Sequence, residues 1–146
     1  QARQWSMDLE QISGAAFSSD GRWVAVVSVL GVNQLWDTAT SEMRATFQGF
    51  LQGTHSVAFS PDGERLAIGS NGSEAIKLWD VESLQELLTL PGQGSMFGAT
   101  AFSPDGTKAA VAGSLLAAQL NEGTDLEGTL FCFAHAAHSA ALLLMA

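Results

Sequence analysis

The chain is poor in positive charge and in cysteine. Only six of its 146 residues are Lys or Arg, against fifteen Asp or Glu, which gives a formal net charge of −9. Six cations spread over the whole chain cannot form the basic stripe that neutralises phosphates, so we expect no nucleic-acid partner and no anionic membrane partner. The single cysteine, Cys132, excludes an internal disulfide, so the cysteine count demands no oxidising compartment.

Long apolar runs are also missing. The most apolar stretch, Ala134–Ala146, contains two histidines and is too short and too polar to span a bilayer. Gln1–Glu10 is polar and does not resemble a signal peptide, so we expect a cytoplasmic location. Because 47% of the residues are apolar and 14% are charged, the composition predicts a folded core and not disorder.

What the chain does have is an internal repeat with a period of about 42 residues. The sequence AFSSDG at Ala16–Gly21 returns as AFSPDG at Ala58–Gly63 and again at Ala101–Gly106. A second marker, Leu-Trp-Asp, occurs at Leu35–Asp37 and returns at Leu78–Asp80. Two markers that keep one period are hard to produce by chance.

Each copy has the pattern of four short strands. In the second copy the Pro61-Asp62-Gly63 sequence is typical of a tight turn, because Pro presets φ, Asp bonds nearby backbone and Gly tolerates positive φ. A second turn is predicted at Asn71–Ser73. The predicted strands are Ser56–Ser60, Arg65–Ser70, Ile76–Trp79 and Glu86–Leu90. Four short antiparallel strands per repeat predict one blade of a β-propeller.

These markers resemble the WD40-repeat family over Ile12–Ser114. The resemblance implies an all-β fold: a partial WD40 β-propeller of about three four-stranded antiparallel blades, with an irregular or short helical C-terminal tail. The implied segments are an outer strand and connection at 1–11, repeats at 12–47 and 48–90, an interrupted repeat at 91–133 and an Ala/Leu-rich tail at 134–146. Because three blades cannot close a ring, the chain is interpreted as a piece of a longer propeller or as one that closes with other copies.

In many members of the family a hydrogen-bonded tetrad of His, Ser or Thr, Asp and Trp ties each blade together. Here Phe50 and Gln93 stand where the His would fall, and Ser73 stands at the Asp position. Only Ser70 and Trp79 fit clearly, in the second copy. We therefore expect these blades to depend on apolar packing, with the tryptophans filling the wedges between them.

The two ends of the chain depart from the repeat. Ala2–Trp5 is interpreted as the outer strand of a blade whose other strands lie elsewhere. The third copy breaks after Ser114, and Glu127–Phe133 resembles its displaced third strand, with a loop or a longer second strand within Leu115–Leu126. The tail, Ala134–Ala146, suits a short helix. The alternative is that this tail was not selected for the fold at all.

Catalytic chemistry has little support in the sequence. The Asp of the Asp-Gly turn occurs in every copy, at Asp20, Asp62 and Asp105, which favours a turn role over catalysis. His55 falls within a predicted strand, and no Gly-x-Ser-x-Gly elbow accompanies it. No phosphate-binding glycine motif is present, so we expect no cofactor and no enzymatic activity.

One cluster has metal-like spacing, namely Cys132, His135 and His138. No fourth ligand lies close by in the sequence, and Cys132 falls in a predicted strand. We therefore favour a buried cysteine with two incidental histidines, and expect no metal.

What remains is binding. The family resemblance implies that partners contact the loops before the first strand and between the second and third strands. Phe50 and Met96 are apolar in otherwise polar loops, which makes them candidate anchors, with burial in the hub as the alternative. The candidate partner-binding residues are Phe50, Leu51, Gln52, Asn71, Glu74, Gln93, Ser95 and Met96.

The sequence therefore predicts a non-catalytic protein–protein interaction scaffold, a fragment of a larger propeller, with a protein or peptide partner. Self-association through open blade edges is a further expectation. The alternative is an accessory or sensor propeller segment of a larger enzyme or signalling protein.

Overall fold

The computed structural model describes residues 9–47, 53–114, 130–134 and 140–145. Within these ranges every regular element is a β-strand, which confirms the all-β prediction. The strands are β1 (Ile12–Phe17), β2 (Trp23–Ser28), β3 (Asn33–Asp37), β4 (Glu42–Phe47), β5 (Thr54–Phe59), β6 (Arg65–Asp80), β7 (Glu86–Phe102), β8 (Ala109–Ser114), β9 (Leu130–Ala134) and β10 (Ala140–Met145).

The first repeat forms a four-stranded antiparallel sheet in the order β1-β2-β3-β4. Ala25, at the centre of β2, pairs with Ala16 on one side and with Leu35 on the other. The backbone N–H of Thr38 donates to the Arg22 carbonyl oxygen at 2.8 Å, so the turn after β1 lies beside the turn after β3. This sheet is the blade that the sequence predicts.

The second repeat forms the same blade although β6 is a single long strand. As a straight strand its 16 residues would span about 50 Å. Yet its flanking residues meet, because the Val81 N–H donates to the Glu64 carbonyl oxygen at 2.8 Å. β6 therefore doubles back between its two arms, in the region of the predicted Asn71–Ser73 turn. The blade consists of β5, the two arms of β6 and the first part of β7.

The third unit differs from its prediction at the tail. The remaining sheet order is β7-β8-β10-β9, so β10 lies where a third blade strand would pair with β8. The predicted short helix is wrong over Ala140–Met145, because Leu142 pairs with Ala112 on one side and with Phe133 on the other. Helix propensity is a weak preference, and pairing with two strands overrides it. Leu130–Ala134 is a strand, β9, as the Glu127–Phe133 prediction requires, but it pairs with β10 and not with β8, so its predicted place as the third strand is wrong. The expectations for Ala2–Trp5 and Leu115–Leu126 lie outside the described residues.

The hydrophobic core lies between the first and second blades. Its buried members are Ala25, Val27, Leu35 and Phe47 from the first blade and Leu66, Ile68, Trp79 and Val81 from the second. Burying a side chain of this size contributes about 2 kcal/mol. The Phe47 and Trp79 rings have centroids 4.9 Å apart and are tilted by 45°. Trp79 therefore fills the wedge between blades, as predicted.

A close backbone contact and a polar cluster fix β5 against the first blade. A Cβ on Gly53 would lie 1.9 Å from the Val29 carbonyl oxygen, so only glycine fits at this crossing. The next residue, Thr54, is fully buried, and its hydroxyl oxygen lies 2.6 Å from both the Ser28 carbonyl oxygen and Asn33 Oδ1. These contacts satisfy polar groups that would otherwise be buried without partners.

Candidate binding surfaces

The three repeated Asp-Gly turns have the same hydrogen bonds. In the first, Asp20 Oδ1 accepts from the Ser18 hydroxyl at 2.6 Å and from the Arg22 N–H at 2.9 Å, while the Gly21 N–H donates to the Ser18 carbonyl oxygen. The glycine has a φ of 71°, a conformation that other residues rarely adopt. Asp62 and Asp105 repeat the arrangement. The geometry confirms that these aspartates are turn residues.

These bonds lower the pKa of each turn carboxyl. For Asp20 and Asp62 the main cause is the hydroxyl of the serine two residues earlier, followed by a backbone N–H. Asp105 is lowered to a pKa of about 2, because the Ser103 and Thr107 hydroxyls both donate to it. A carboxyl that stays ionised and already accepts several hydrogen bonds is poorly suited to proton transfer at neutral pH.

The turns of the first two blades enclose an acidic cleft of about 790 Å³. Seven carboxylates and two guanidinium groups line it. One guanidinium, that of Arg22, lies 3.6 Å from the Asp37 carboxylate and 4.6 Å from the centre of the Trp23 ring. Asp37 and Asp80 also accept hydrogen bonds from their own turns, at 2.8 Å from the Ala39 N–H and at 2.7 Å from the Ser83 N–H. Four of the seven carboxylates in the cleft are therefore turn residues that accept hydrogen bonds from their own turns.

The predicted partner-binding residues lie at the opposite end of the strands. Asn71 and Glu74 fall where β6 doubles back, and Gln93, Ser95 and Met96 fall within β7. The backbone brings the two loops together, because Asn71 pairs with Met96 and Glu74 pairs with Pro91. The family pattern predicts that these loops lie on one face, and the structure adds that their backbones pair. The remaining candidates, Phe50, Leu51 and Gln52, lie outside the described residues.

The hydrogen-bonded tetrad is not formed in the second blade. Trp79 Nε1 is buried and has no hydrogen-bond partner. In the first blade the equivalent Trp36 Nε1 donates to Gln34 Oε1 at 3.0 Å, within the same strand. Both tryptophans therefore lack the bond to a second-strand hydroxyl that the family pattern implies, and packing dominates as expected.

His55 lies on β5, as predicted, and is half-buried. Its Nε2 atom is buried without a hydrogen-bond partner. Of the metal-like cluster, Cys132 lies on β9, while His135 and His138 lie outside the described residues. Within the described ranges no three His, Cys, Asp or Glu residues come together as metal ligands.

Two comparisons with known proteins agree with this architecture. A model of the WD40 family, described as the WD domain or G-beta repeat, matches residues 41–80, from β4 through the second arm of β6. An uncharacterized WD repeat-containing protein of Deinococcus radiodurans is 37% identical over 67 residues, which is 45% of this chain. The aligned part is 25% of that relative, so the chain spans only a fraction of its length.

The meander of four antiparallel strands, repeated with its turns, defines a protein of the β-propeller class. The blades are those of a partial propeller, and residues 41–80 are similar to the WD40 repeat. In the part of the chain that the structure describes, no helix has the length and apolarity that a membrane crossing requires.

Proposed function

We propose that the chain is a non-catalytic scaffold that binds a protein or peptide partner. The observation that carries this proposal is the match of residues 41–80 to the WD40 repeat, a repeat that generally serves protein interaction. The turn carboxyls support it, because the most regularly placed acidic groups are engaged by their own turns and have lowered pKa values. The proposal includes neither a nucleic-acid partner nor an enzymatic activity of this segment, and it places the chain in the cytoplasm.

The proposed contact surface is the pair of loops that meet where Asn71 pairs with Met96. Two chain segments that are distant in sequence present adjacent backbones there, which gives a partner an extended surface and not a single loop tip. The sequence predicts Phe50 as a second apolar anchor, and the proposal includes it. Apolar anchors surrounded by polar residues are the usual centre of a binding surface.

The test is affinity capture with the tagged chain, followed by the Phe50→Ala/Met96→Ala double variant. The matched control is Met43→Ala, because Met43 is an exposed methionine on β4, beside the cleft at the other end of the blade. Partners recovered by the wild type and by the control, but lost by the double variant, support the proposed loops. Equal recovery by all three proteins would contradict them.

A further inference from the structure

The inner strands of the three units have two distinguishable sides. These strands are β1, β5 and the last part of β7. A Cβ on Gly14 of β1 would lie 3.9 Å from Val57 Cγ1 of β5. One repeat later, Ser56 Oγ lies 2.6 Å from Thr100 Oγ1. Gly14 and Ser56 therefore face the following blade, while Val57 and Thr100 face the preceding one. The same pair of repeat positions makes both contacts.

Residues of the inner strands are exposed on the side that has no neighbouring blade. In β5, which has a blade on each side, no residue is exposed. In β1, Ile12, Ala15 and Phe17 are exposed. Ala15 and Phe17 are equivalent to Val57 and Phe59, which pack against the core between the blades. Phe17 is 61% exposed. The first blade thus leaves uncovered the side that faces a preceding blade.

The third unit leaves the opposite side uncovered. Ala99 and Ala101 are exposed, whereas Thr100 and Phe102, which alternate with them, are half-buried. Ala99 is the repeat equivalent of Ser56, so the exposed alanines lie on the side that faces a following blade. The chain therefore has the two halves of its own blade–blade contact, one at each end.

We propose that a second copy of this chain packs the Ala99 and Ala101 side of its third unit against the Ala15 and Phe17 side of the first blade. The interface continues the internal one, with small residues of one inner strand against Ala15 and Phe17 of the next. Neither Ile12–Phe17 nor 99–102 carries a charge, so the net charge of −9 does not concentrate repulsion at the contact. This inference is independent of the proposed partner-binding loops.

Such a contact joins different surfaces of the two copies. An interface of this kind closes into a ring when the rotation between copies permits it. Large exposed aromatic side chains dominate the binding free energy of many interfaces, and Phe17 is the largest exposed residue on the open side. Its loss should therefore weaken association strongly while leaving the fold of each copy intact.

The test is light scattering and sedimentation of the full chain over a range of concentrations. We expect the wild type to have a mass that is a multiple of its 15.3 kDa chain. Phe17→Lys and Ala101→Glu should each raise the dissociation constant at least about tenfold, which is about 1.4 kcal/mol. Leu87→Lys is the matched control, because Leu87 is exposed on the outer strand of the second blade. Circular dichroism checks that each variant folds. If the lysine prevents folding of Phe17→Lys, Phe17→Ala takes its place.

Mixing the two charged variants gives a sharper result. In a mixed assembly, Lys at position 17 of one copy meets Glu at position 101 of the other, while the reciprocal contact keeps the native Phe17 and Ala101. We therefore expect the mixture to associate at concentrations at which each variant alone remains monomeric. A wild type that remains at 15.3 kDa at every concentration overturns the proposal. So does a control that dissociates as Phe17→Lys does, or a mixture that stays monomeric.

Discussion

The first and second repeats have the same fold, but the indole N–H groups of their tryptophans differ in hydrogen bonding. Trp36 donates its indole N–H to Gln34, two residues earlier on the same strand. The equivalent position in the second repeat is Lys77, and an ammonium group has no acceptor. Trp79 therefore keeps a buried N–H without a partner. One substitution within the repeat has removed a hydrogen bond while leaving the strands and turns unchanged.

The second blade gains a different set of interactions. Lys77 Nζ donates to Glu86 Oε2 at 3.0 Å and to the Thr89 hydroxyl at 2.8 Å, although its side chain is only 6% exposed. Trp79 packs on Phe47 of the first blade. An unsatisfied buried donor costs about 1–3 kcal/mol, so packing must offset that cost. The second blade therefore keeps its fold with one fewer indole hydrogen bond than the first.

The largest effect is expected at the junction between the repeats, where Gly53 crosses Val29. In the Gly53→Ala variant the new methyl group would overlap the Val29 carbonyl oxygen, and backbone must shift to relieve the overlap. We expect the free energy of unfolding to fall by about 3 kcal/mol, as measured by urea unfolding. Gly21→Ala is the control, since its Cβ would meet nothing within 4 Å and only its positive φ is penalised, by about 1 kcal/mol. An equal fall in the free energy of unfolding in the two variants would show that the close contact between Gly53 and Val29 does not cause the loss.

The next effect compares equivalent phenylalanines. Phe59 packs on the core between the blades, whereas Phe17 is exposed. Phe59→Ala should lower the free energy of unfolding by about 2 kcal/mol, and Phe17→Ala should change it by less than about 0.5 kcal/mol in dilute solution. Similar losses in the two variants would mean that the two repeats bury this position to the same extent.

Some features of the two repeats can be predicted from the sequence, and others cannot. The Ser-x-Asp-Gly turns are predictable because their hydrogen bonds join residues within a few positions of each other. The blade strands are predictable because the repeat supplies the same pattern more than once. The missing acceptor at Trp79 could also have been found, because alignment of the repeats places Lys77 at the position of Gln34.

Features that depend on distant partners are not predictable in this way. The Ala/Leu-rich segment that forms β10 has high helix propensity, and only its pairing with β8 and β9 makes it a strand. Gly53 has no local signal either, because its requirement arises from the backbone of Val29 in another blade. The loop residues Asn71 and Met96 were assigned to one face from the family pattern, but their backbone pairing depends on two loops meeting.

Restoring an acceptor to the second blade tests the main difference between the repeats. In Lys77→Gln the amide oxygen can accept from Trp79 Nε1 as Gln34 does for Trp36. The ion pair with Glu86 is lost, but the Glu86 side chain is 37% exposed, so water can solvate its carboxylate once Lys77 is replaced. We expect the free energy of unfolding to rise by about 1 kcal/mol, together with a shifted Trp79 indole N–H resonance. A loss of stability would show that the Lys77 ion pair outweighs the indole bond.

A smaller effect is expected in the turn before the outer strand. Ser41 and Leu84 occupy equivalent positions with φ of 63° and 61°, where glycine is favoured. Ser41→Gly should raise the free energy of unfolding by about 0.5 kcal/mol, because glycine adopts this positive φ without the steric cost that a Cβ brings. Leu84→Gly relieves the same backbone strain but loses packing against the core, so it should lower stability. Thermal unfolding of both variants checks the opposite signs, and a shared sign would contradict this account.

The smallest effect compares the turn carboxyls by their pKa values. Because their folded pKa values lie below the unfolded value, these groups contribute stability at pH above about 4. That contribution is lost as the pH falls toward the folded values, to about 2 for Asp105. Thr107 adds a second hydroxyl donor to Asp105, at 2.8 Å, where the other two turns carry Arg22 and Glu64. In Thr107→Val the pKa of Asp105 should therefore rise toward those of Asp20 and Asp62, as followed by NMR titration, while the folded turn persists. An unchanged pKa would assign the lowering of the Asp105 pKa to the Ser103 hydroxyl and the backbone, and not to Thr107.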